Sequence, residues 1–445
     1  MKQVLRLSVG AAIALTLILV MSLRAQAQTD PFVTQITSSD RESFAGDTSG
    51  NGRFVVIESN GDIATEKTTT RNNADGNREI FLFDYAQRRI FQITNTKSAL
   101  RDAAVSPTTN SNIAIEVSNN RPVLSNNARW IVFSSNASNP ASFDGNDAAN
   151  RAALALDGNQ ELFLYFVPAP PAADLANGAE AAFFELAGGE LTRLTNTPAS
   201  RVPTGGTATV APFVADDNRD ASVNDNASVI AFVSTRNLTG TNADANPEVF
   251  IFRRTTVSPA TGTFFQLTNT TGSLVFNENP NVSGLAALPA TVAFISNANI
   301  PIGGTGNNAD GNAEIYLGSF DGATATVTRQ ATRTAASAAN GNVGVNIMSL
   351  GRRLSRDGNL LAFESYADLS GDNSIKTTTT VFIYNIGTSS FTQVGPRAAN
   401  TSALRQPTFT DYNAAGQPAT IIFSSALNFT ATGAAPATAA DGLNP

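Results

Sequence analysis

One short segment recurs along the chain: VVIES at Val55 to Ser59, IVFSS at Ile131 to Ser135, IAFVS at Ile230 to Ser234, VAFIS at Val292 to Ser296, LAFES at Leu361 to Ser365 and IIFSS at Ile421 to Ser425. Each is a near-continuous apolar run closing on Ser, the pattern of a strand covered on both faces. The other strands are found by working outward from it. After a loop comes a second apolar run: EIFLFD from Glu79, ELFLYF from Glu161, EVFIFR from Glu248, EIYLGS from Glu314 and the weaker VFIYNI from Val381. A more polar strand follows: FQITNT from Phe91, LTRLTNT from Leu191, FQLTNT from Phe265, TRQATRT from Thr328 and FTQV from Phe391. Ahead of the recurring segment stands a short strand, visible as PVLS (Pro122 to Ser125), NVS (Asn281 to Ser283), RLS (Arg353 to Ser355) and PTFT (Pro407 to Thr410). Turn residues such as Asn51-Gly52, Asn126-Asn127, Asp225-Asn226 and Asp357-Gly358 join the two. Such residues tolerate the positive φ of a hairpin turn.

Four antiparallel strands per unit, repeated along the chain, predict an all-β protein folded as a six-bladed β-propeller, since one blade cannot cover both of its own faces. No stretch carries the sustained 3.6-residue apolar period of a surface helix. Segments such as LSRDGNLLAFES (Leu354 to Ser365), followed by EIFLFD-type strands and QITNT-type ends, resemble the TolB-like β-propeller repeat of periplasmic and secreted bacterial proteins. The resemblance covers nearly all of residues 28–445. It implies a propeller that binds proteins or small ligands, and it leaves no room for the separate α/β domain that precedes the propeller in TolB itself.

The chain ends suggest how the ring closes. Phe32 to Thr37 matches the last strand of a blade, with Gln35-Ile36-Thr37 repeating Gln92-Ile93-Thr94. It is predicted to complete the sixth blade begun by Pro407 to Ser425, latching the ring through both termini. Asp441-Gly442 follows Ser425 at the distance at which Asp75-Gly76 follows Ser59, but no further strand comes after it. The sequence is therefore either a fragment or a chain with a three-stranded last blade.

Residues 1–27 read as a signal peptide: Lys2 and Arg6 precede an apolar run from Val9 to Leu23, and Ala25-Gln26-Ala27 offers cleavage after Ala27. Residues 28–445 form the propeller. No later run is long enough to span a membrane, so the expectation is a periplasmic or secreted protein with no membrane span after cleavage.

The whole chain has 29 Lys+Arg against 36 Asp+Glu, with no His and no Cys. That removes Ser-His-Asp and Cys-His nucleophiles, His-ligated zinc, haem His and disulfides. Cleavage would take away three positive charges and no negative one. The acidic remainder lacks the basic stripe that nucleic acid requires, so the expected partner is a protein or small ligand at the propeller rim.

One polar motif recurs in the loops before the third strands: Asp75-Gly-Asn77-Arg-Glu79, Asp157-Gly-Asn159-Gln-Glu161, Asp244-Ala-Asn246-Pro-Glu248 and Asp310-Gly-Asn312-Ala-Glu314. These twelve Asp, Asn and Glu residues are the binding-rim candidates. One reading makes them Asx turns, with Glu capping or pairing with a neighbouring Arg. The other makes their oxygens Ca²⁺ ligands, although the twelve-residue EF-hand pattern is absent.

For catalysis only carboxylate chemistry remains, and no motif assembles it. Asp216, Asp217 and Asp220 are the tightest acidic cluster, expected on a solvated loop. Val167 to Ala182, rich in Pro and Ala, reads as a flexible excursion, and Trp130 as core packing. The sequence thus favours a secreted or periplasmic non-catalytic binding module that needs no cofactor. A carboxylate-based carbohydrate hydrolase or lyase and a calcium-stabilised extracellular scaffold are the alternatives.

Overall fold

The protein, seen here as a computed structural model, is described over residues 35–105, 111–175, 180–336, 344–371, 378–394, 406–410 and 420–425. It divides into a short N-terminal unit, Met1–Ser38, and a main unit, Ser39–Pro445. Signal peptide, Phe32 to Thr34 and Asp441-Gly442 lie outside the described residues. Gln35 to Thr37 are described and are not in a strand.

In the main unit, β1 (Ser43–Thr48), β2 (Phe54–Ser59), β3 (Glu79–Asp84) and β4 (Arg89–Gln92) form the first sheet. Three short strands follow: β5 (Thr96–Lys97), β6 (Ala99–Leu100) and β7 (Ile113–Ile115). The second sheet takes β8 (Asn119–Leu124) and β9 (Trp130–Ser135) and, after β10 (Phe143–Asp144) and helix α1 (Ala148–Asp157), β11 (Glu161–Phe166) and β12 (Glu190–Arg193). The third holds β13 (Asn218–Val223), β14 (Val229–Ser234), β15 (Glu248–Arg254) and β16 (Gly262–Gln266). The fourth holds β17 (Asn277–Val282), β18 (Ala290–Ser296), β19 (Glu314–Phe320) and β20 (Ala325–Gln330). The fifth holds β21 (Asn346–Ile347), β22 (Leu360–Ser365), β23 (Thr380–Asn385) and β24 (Ser390–Val394), and β25 (Thr408–Phe409) pairs with β26 (Ile421–Ile422). The five four-stranded sheets are antiparallel meanders of propeller type; beside them and the β25–β26 pair stand two further two-stranded pairs, β6 with β7 antiparallel and β5 with β10 parallel, and no sheet is closed among the described residues.

The double-sided apolar pattern follows from how the sheets stack. Side chains alternate across a strand, so Ile131 and Phe133 of β9 pack with Val56, Ile80 and Leu82 of the first sheet. Trp130 and Val132 face the other way, onto Ile230, Phe232 and Phe250 of the third. The third and fourth sheets meet through Val229, Ala231, Val292 and Phe294, the fourth and fifth through Ala293, Ile315, Leu361 and Phe363. Register puts an aromatic pair at the centre of four sheets: Phe133 on Phe163 at 5.9 Å, Phe232 on Phe250 at 6.0 Å, Phe294 on Tyr316 at 5.7 Å and Phe363 on Phe382 at 6.0 Å between ring centres. The turns after the opening strand of each sheet, called its inner strand below, are tied edge to edge by backbone bonds, Gly50 N to Asn126 O (2.9 Å), Asn127 N to Asp225 O (3.0 Å) and Leu285 N to Arg356 O (2.9 Å).

Four details depart from the sequence reading. First, the inner strands begin earlier, at Asn119 rather than Pro122 and at Asn277 rather than Asn281. Their polar heads read as loop because each carries a bulge at a residue with positive φ: Arg121 (54°), Asp220 (57°) or Asn279 (52°). Second, the last inner strand and its partner shrink to β25 and β26. Third, α1 is a helix in a chain read as all-β; Asp147 caps it, accepting from Ala149 N at 2.9 Å and Asn150 N at 3.2 Å. Fourth, the described parts of the Pro/Ala excursion and the residues after it lie against the first sheet. Arg53 Nη1 donates to Pro171 O (2.7 Å), Ala181 N to Ala86 O (2.6 Å) and Phe184 N to Gln87 Oε1 (2.6 Å). Trp130 is core, as read, with Phe166 at 4.4 Å and the Arg254 guanidinium 4.1 Å over its ring.

Candidate functional site

The repeated motif builds a joint between neighbouring sheets. Each motif Glu opens a third strand and is buried: Glu79, Glu161, Glu248 and Glu314 are at most 2 % exposed. Around Glu248, Thr268 Oγ1 donates to one carboxylate oxygen, and Thr270 donates to the other through its N–H (2.6 Å) and hydroxyl (2.8 Å). Asn277, the first residue of the next inner strand, then donates from Nδ2 to Glu248 Oε2 (3.1 Å), Thr270 Oγ1 (2.8 Å) and Pro247 O (2.9 Å). The same joint forms with Asn119 on Glu79, Asn218 on Glu161 and Asn346 on Glu314. Ser234 and Ser365, which close their strands, donate to Asn218 Oδ1 and Asn346 Oδ1 at 2.8 Å. The Thr-x-Thr ends are therefore parts of one device, joined at Asn218 and Asn346 by the terminal Ser; the Oδ1 atoms of Asn119 and Asn277 accept no such bond among the described residues.

The motif Asn residues serve the same joint. Asn77 Nδ2 donates to Thr96 Oγ1 (2.8 Å), Asn159 to Thr197 Oγ1 (3.2 Å), Asn246 to Thr270 Oγ1 (3.0 Å) and Asn312 to Thr334 Oγ1 (3.0 Å). Four residues earlier, Asn73, Asn242 and Asn308 strap the loop through bonds to the carbonyls of Asn77, Asn246 and Asn312. The Asp residues stand outermost: Asp157, Asp244 and Asp310 are exposed. They accept from Ala199 N (2.6 Å), Gly272 N (3.2 Å) and Ala336 N (2.8 Å). Among the described residues no group of three or more Asp or Glu side chains gathers as metal ligands would.

Burial pushes the Glu79 carboxyl up to about 8 against the pull of Thr94 and Thr96. Glu161, Glu248 and Glu314 are raised by burial in the same way.

The acidic cluster is not on a solvated loop. Asp217 is 1 % exposed, holding Ser200 N (2.8 Å) and Thr235 Oγ1 (2.6 Å). Asp216 and Asp220 pair with Arg121 at 3.0 and 3.3 Å, and Arg219 pairs with Asp220 (3.3 Å) and Glu278 (3.4 Å). Glu58 extends the line, accepting from Arg121 N (2.7 Å) and pairing with Arg78 (3.0 Å). The bulged heads of the inner strands thus carry an alternating ionic chain from the first sheet to the fourth. Along it four carboxylates share three guanidinium groups.

The first motif loop borders a cleft. Asp75, half-buried, lines a cleft of about 620 Å³ with Arg41, Arg78, Lys97, Glu116 and Asp144. Its other wall is the excursion carrying β6 and β7, held on the rim by a small core of Ala99, Ile115, Val117, Ala137, Phe143 and Leu154. Lys97 pairs with Asp144 at 3.6 Å. The Arg41 guanidinium lies over Gly76, whose φ of 72° suits glycine and where a Cβ would stand 3.1 Å from Arg41 Nη1. Burial raises the carboxyls of Asp75 and Glu116, partly offset by the backbone N–H of Asn77 and by Arg78 respectively. Asn77 also lines this cleft; the motif residues of the other three loops do not. Arg41, Lys97, Glu116 and Asp144 escaped the sequence reading because nothing in their local pattern marks them.

No protein-family model matches the chain, and no curated protein matches its sequence. Among solved structures it is similar to TolB from Acinetobacter baumannii (12 % identity, TM-score 0.39, covering 86 % of this chain and 61 % of that one). It is also similar to an oligogalacturonate lyase in complex with manganese (12 %, 0.39, covering 84 % and 70 %) and to the Dos1 propeller (9 %, 0.35, covering 90 % and 76 %). The chain thus spans about three-fifths of the length of that TolB.

Proposed function

We propose that this chain is a periplasmic or secreted, non-catalytic binding module on a TolB-like propeller of six blades, closed by its N-terminal strand, taking a protein or small polar ligand at the rim. The observation that carries the reading is the 620 Å³ cleft beside the first motif loop, lined by both signs of charge. A concave site with a few convergent polar groups is where a ligand is oriented. The proposal includes no cofactor; what supports this is that the Glu248 oxygens are held by Thr and Asn donors.

The test is a thermal-shift panel of amino acids, acidic and neutral oligosaccharides and short peptides against the mature chain and Arg41→Ala. A hit that depends on Arg41 supports the cleft. Hits indifferent to Arg41→Ala and to Lys97→Ala would move the binding site elsewhere.

One observation favours a second reading, a carbohydrate hydrolase or lyase: Asp75 and Glu116, both raised by burial, line the same cleft. Product release from oligosaccharides that disappears in both Asp75→Asn and Glu116→Gln would establish it over the binding reading. A calcium-stabilised scaffold is the third, and it requires the unfolding midpoint to rise with Ca²⁺ over EDTA.

A further inference from the structure

The second sheet differs from the others in what it sends to the rim. Between β12 and β13 the chain makes a long excursion in which Thr204 and Phe213 pair across a hairpin, N to O at 3.0 Å and 2.9 Å. Val202, Val210 and Phe213 of this excursion are exposed, at 61, 63 and 38 %. The end of α1 lies alongside: Asp157 accepts from Ala199 N (2.6 Å), a Cβ at Gly158 would stand 3.0 Å from Pro203, and Leu156 between them and solvent is 78 % exposed. Leaving four large apolar side chains uncovered on neighbouring segments costs solvation free energy that a partner would recover.

Charge says what kind of partner. From residue 198 to 215 the only charged side chain is Arg201. Its guanidinium lies 3.5 Å from the Phe213 ring centre, which holds it at the patch by cation–π attraction. Arg101 reaches the same hairpin, donating to Gly206 O at 2.9 Å. Among the described residues neither arginine has a carboxylate within ion-pair distance, in a chain of net charge −7. The neighbouring carboxylates each hold a backbone N–H rather than an arginine: Asp157 accepts from Ala199 N, and Asp102 from Ala104 N at 2.9 Å. An apolar surface with two uncompensated guanidinium groups fits a segment presenting apolar side chains and carboxylates together.

We infer that the hairpin of the second sheet and the end of α1 form a docking surface for an acidic, apolar segment of a partner protein. Phe213 and Val202 supply the apolar contact, and Arg201 and Arg101 supply carboxylate recognition. None of these residues lines the cleft of Arg41 and Asp75, and the inference does not depend on whether that cleft is occupied.

The probe is a fluorescent peptide of alternating Leu and Glu, compared with the same peptide carrying Lys for Glu, titrated against the mature chain by anisotropy. Binding of the Glu peptide alone is expected, weakened at least about tenfold in Arg201→Glu and in Val210→Asp, and unchanged in Arg41→Ala. Val210 and Leu156 project into solvent, so Val210→Asp and Leu156→Ser test the surface without threatening the fold. Equal binding of both peptides, no binding of either, or insensitivity to Arg201→Glu would overturn the proposal. So would a concentration-dependent dimer in sedimentation that Arg201→Glu abolishes, because the occupant would then be a second copy.

Discussion

Asn218→Ala tests the inter-sheet joint where the protein carries its own reporter. Asn218 Nδ2 donates to Gln160 O, Glu161 Oε2 and Thr197 Oγ1, each at 3.0 Å, while Oδ1 accepts from Ser234 at 2.8 Å. A neutral buried hydrogen bond is worth about 1 kcal/mol net and one to a charged group about 2. Thr197 keeps its bonds to Glu161 and Asn159, and Ser234 Oγ still accepts from Arg236 N, so the loss centres on Gln160 O and the carboxylate. The expected cost is about 3 kcal/mol. Trp130, the only tryptophan, lies in the core between these same two sheets, so its emission during urea unfolding reads this joint directly. Asn218→Asp keeps the shape but sets a second carboxylate against Glu161. It should cost more at pH 8 and recover toward pH 5, as one of the two takes a proton. In a double-mutant cycle Asn218→Ala should couple to Glu161→Gln by about 1 kcal/mol or more. A loss under about 1 kcal/mol for Asn218→Ala, or additivity in the cycle, would show that the joint is not what binds these sheets.

The buried glutamates set a pH dependence. Glu79 is raised to about 8 in the folded chain, and its neighbours in the repeat are raised too. A folded-state value above the unfolded one means a proton is taken up on folding. This stability is complete below about 4.3 and declines as pH climbs through 8. The unfolding midpoint should therefore fall from pH 5 to pH 9, less steeply in Glu79→Gln, and a rising midpoint would contradict the assignment. Gly46→Ala should destabilise by about 2 kcal/mol or more in urea titration, because a Cβ there meets the Pro122 carbonyl of the next inner strand. Ala227→Gly should be neutral or stabilising by up to about 1 kcal/mol in the same assay, since Ala227 sits at a φ of 51° where the equivalent turns use Gly52 and Gly358. Saturating Ca²⁺ should leave the midpoint unchanged from EDTA if the motif glutamate oxygens keep their Thr and Asn donors; a rise of several degrees would restore the cation reading and turn it to the buried Oδ1 atoms of Asn159, Asn246 and Asn312, which accept no bond among the described residues.

The sheets were legible because a strand buried on both faces leaves a pattern that polar loops cannot imitate. Val55 to Ser59 and four of its five repeats are strands throughout, the last being strand only at Ile421–Ile422, and Glu79, Glu161, Glu248 and Glu314 open the next strand as read. The inner strands were not legible at their heads. Asn119-Asn120-Arg121 and Asn277-Glu278-Asn279 are polar, bulged and left-handed at one residue, which in sequence is indistinguishable from a turn. The four joints could have been found: Asn73, Asn242 and Asn308 stand two residues before the motif Asp, and an Asn recurs at the head of four inner strands. Their meaning depends on a neighbouring sheet, which local pattern does not contain. Helix α1 was missed because its apolar side has a single buried residue, Leu154.

Repetition itself separates what holds this protein together from what distinguishes it. A feature present in four sheets answers a need that every sheet has, and every sheet must be fastened to the next. The Asp-x-Asn-x-Glu loops answer that need with Thr and Asn from two sheets donating to one buried carboxylate. Specific recognition requires asymmetry, and the asymmetric features lie together. The β6–β7 excursion, α1 with its small core, the hairpin of Thr204 and Phe213, the Asp75 cleft and the unpaired Arg201 all belong to the first two sheets or the links after them. These excursions do not complete the sheet-to-sheet cores, which the strands already fill. Ordering long loops costs conformational entropy, and both the cleft and the docking surface proposed above draw their residues from these excursions.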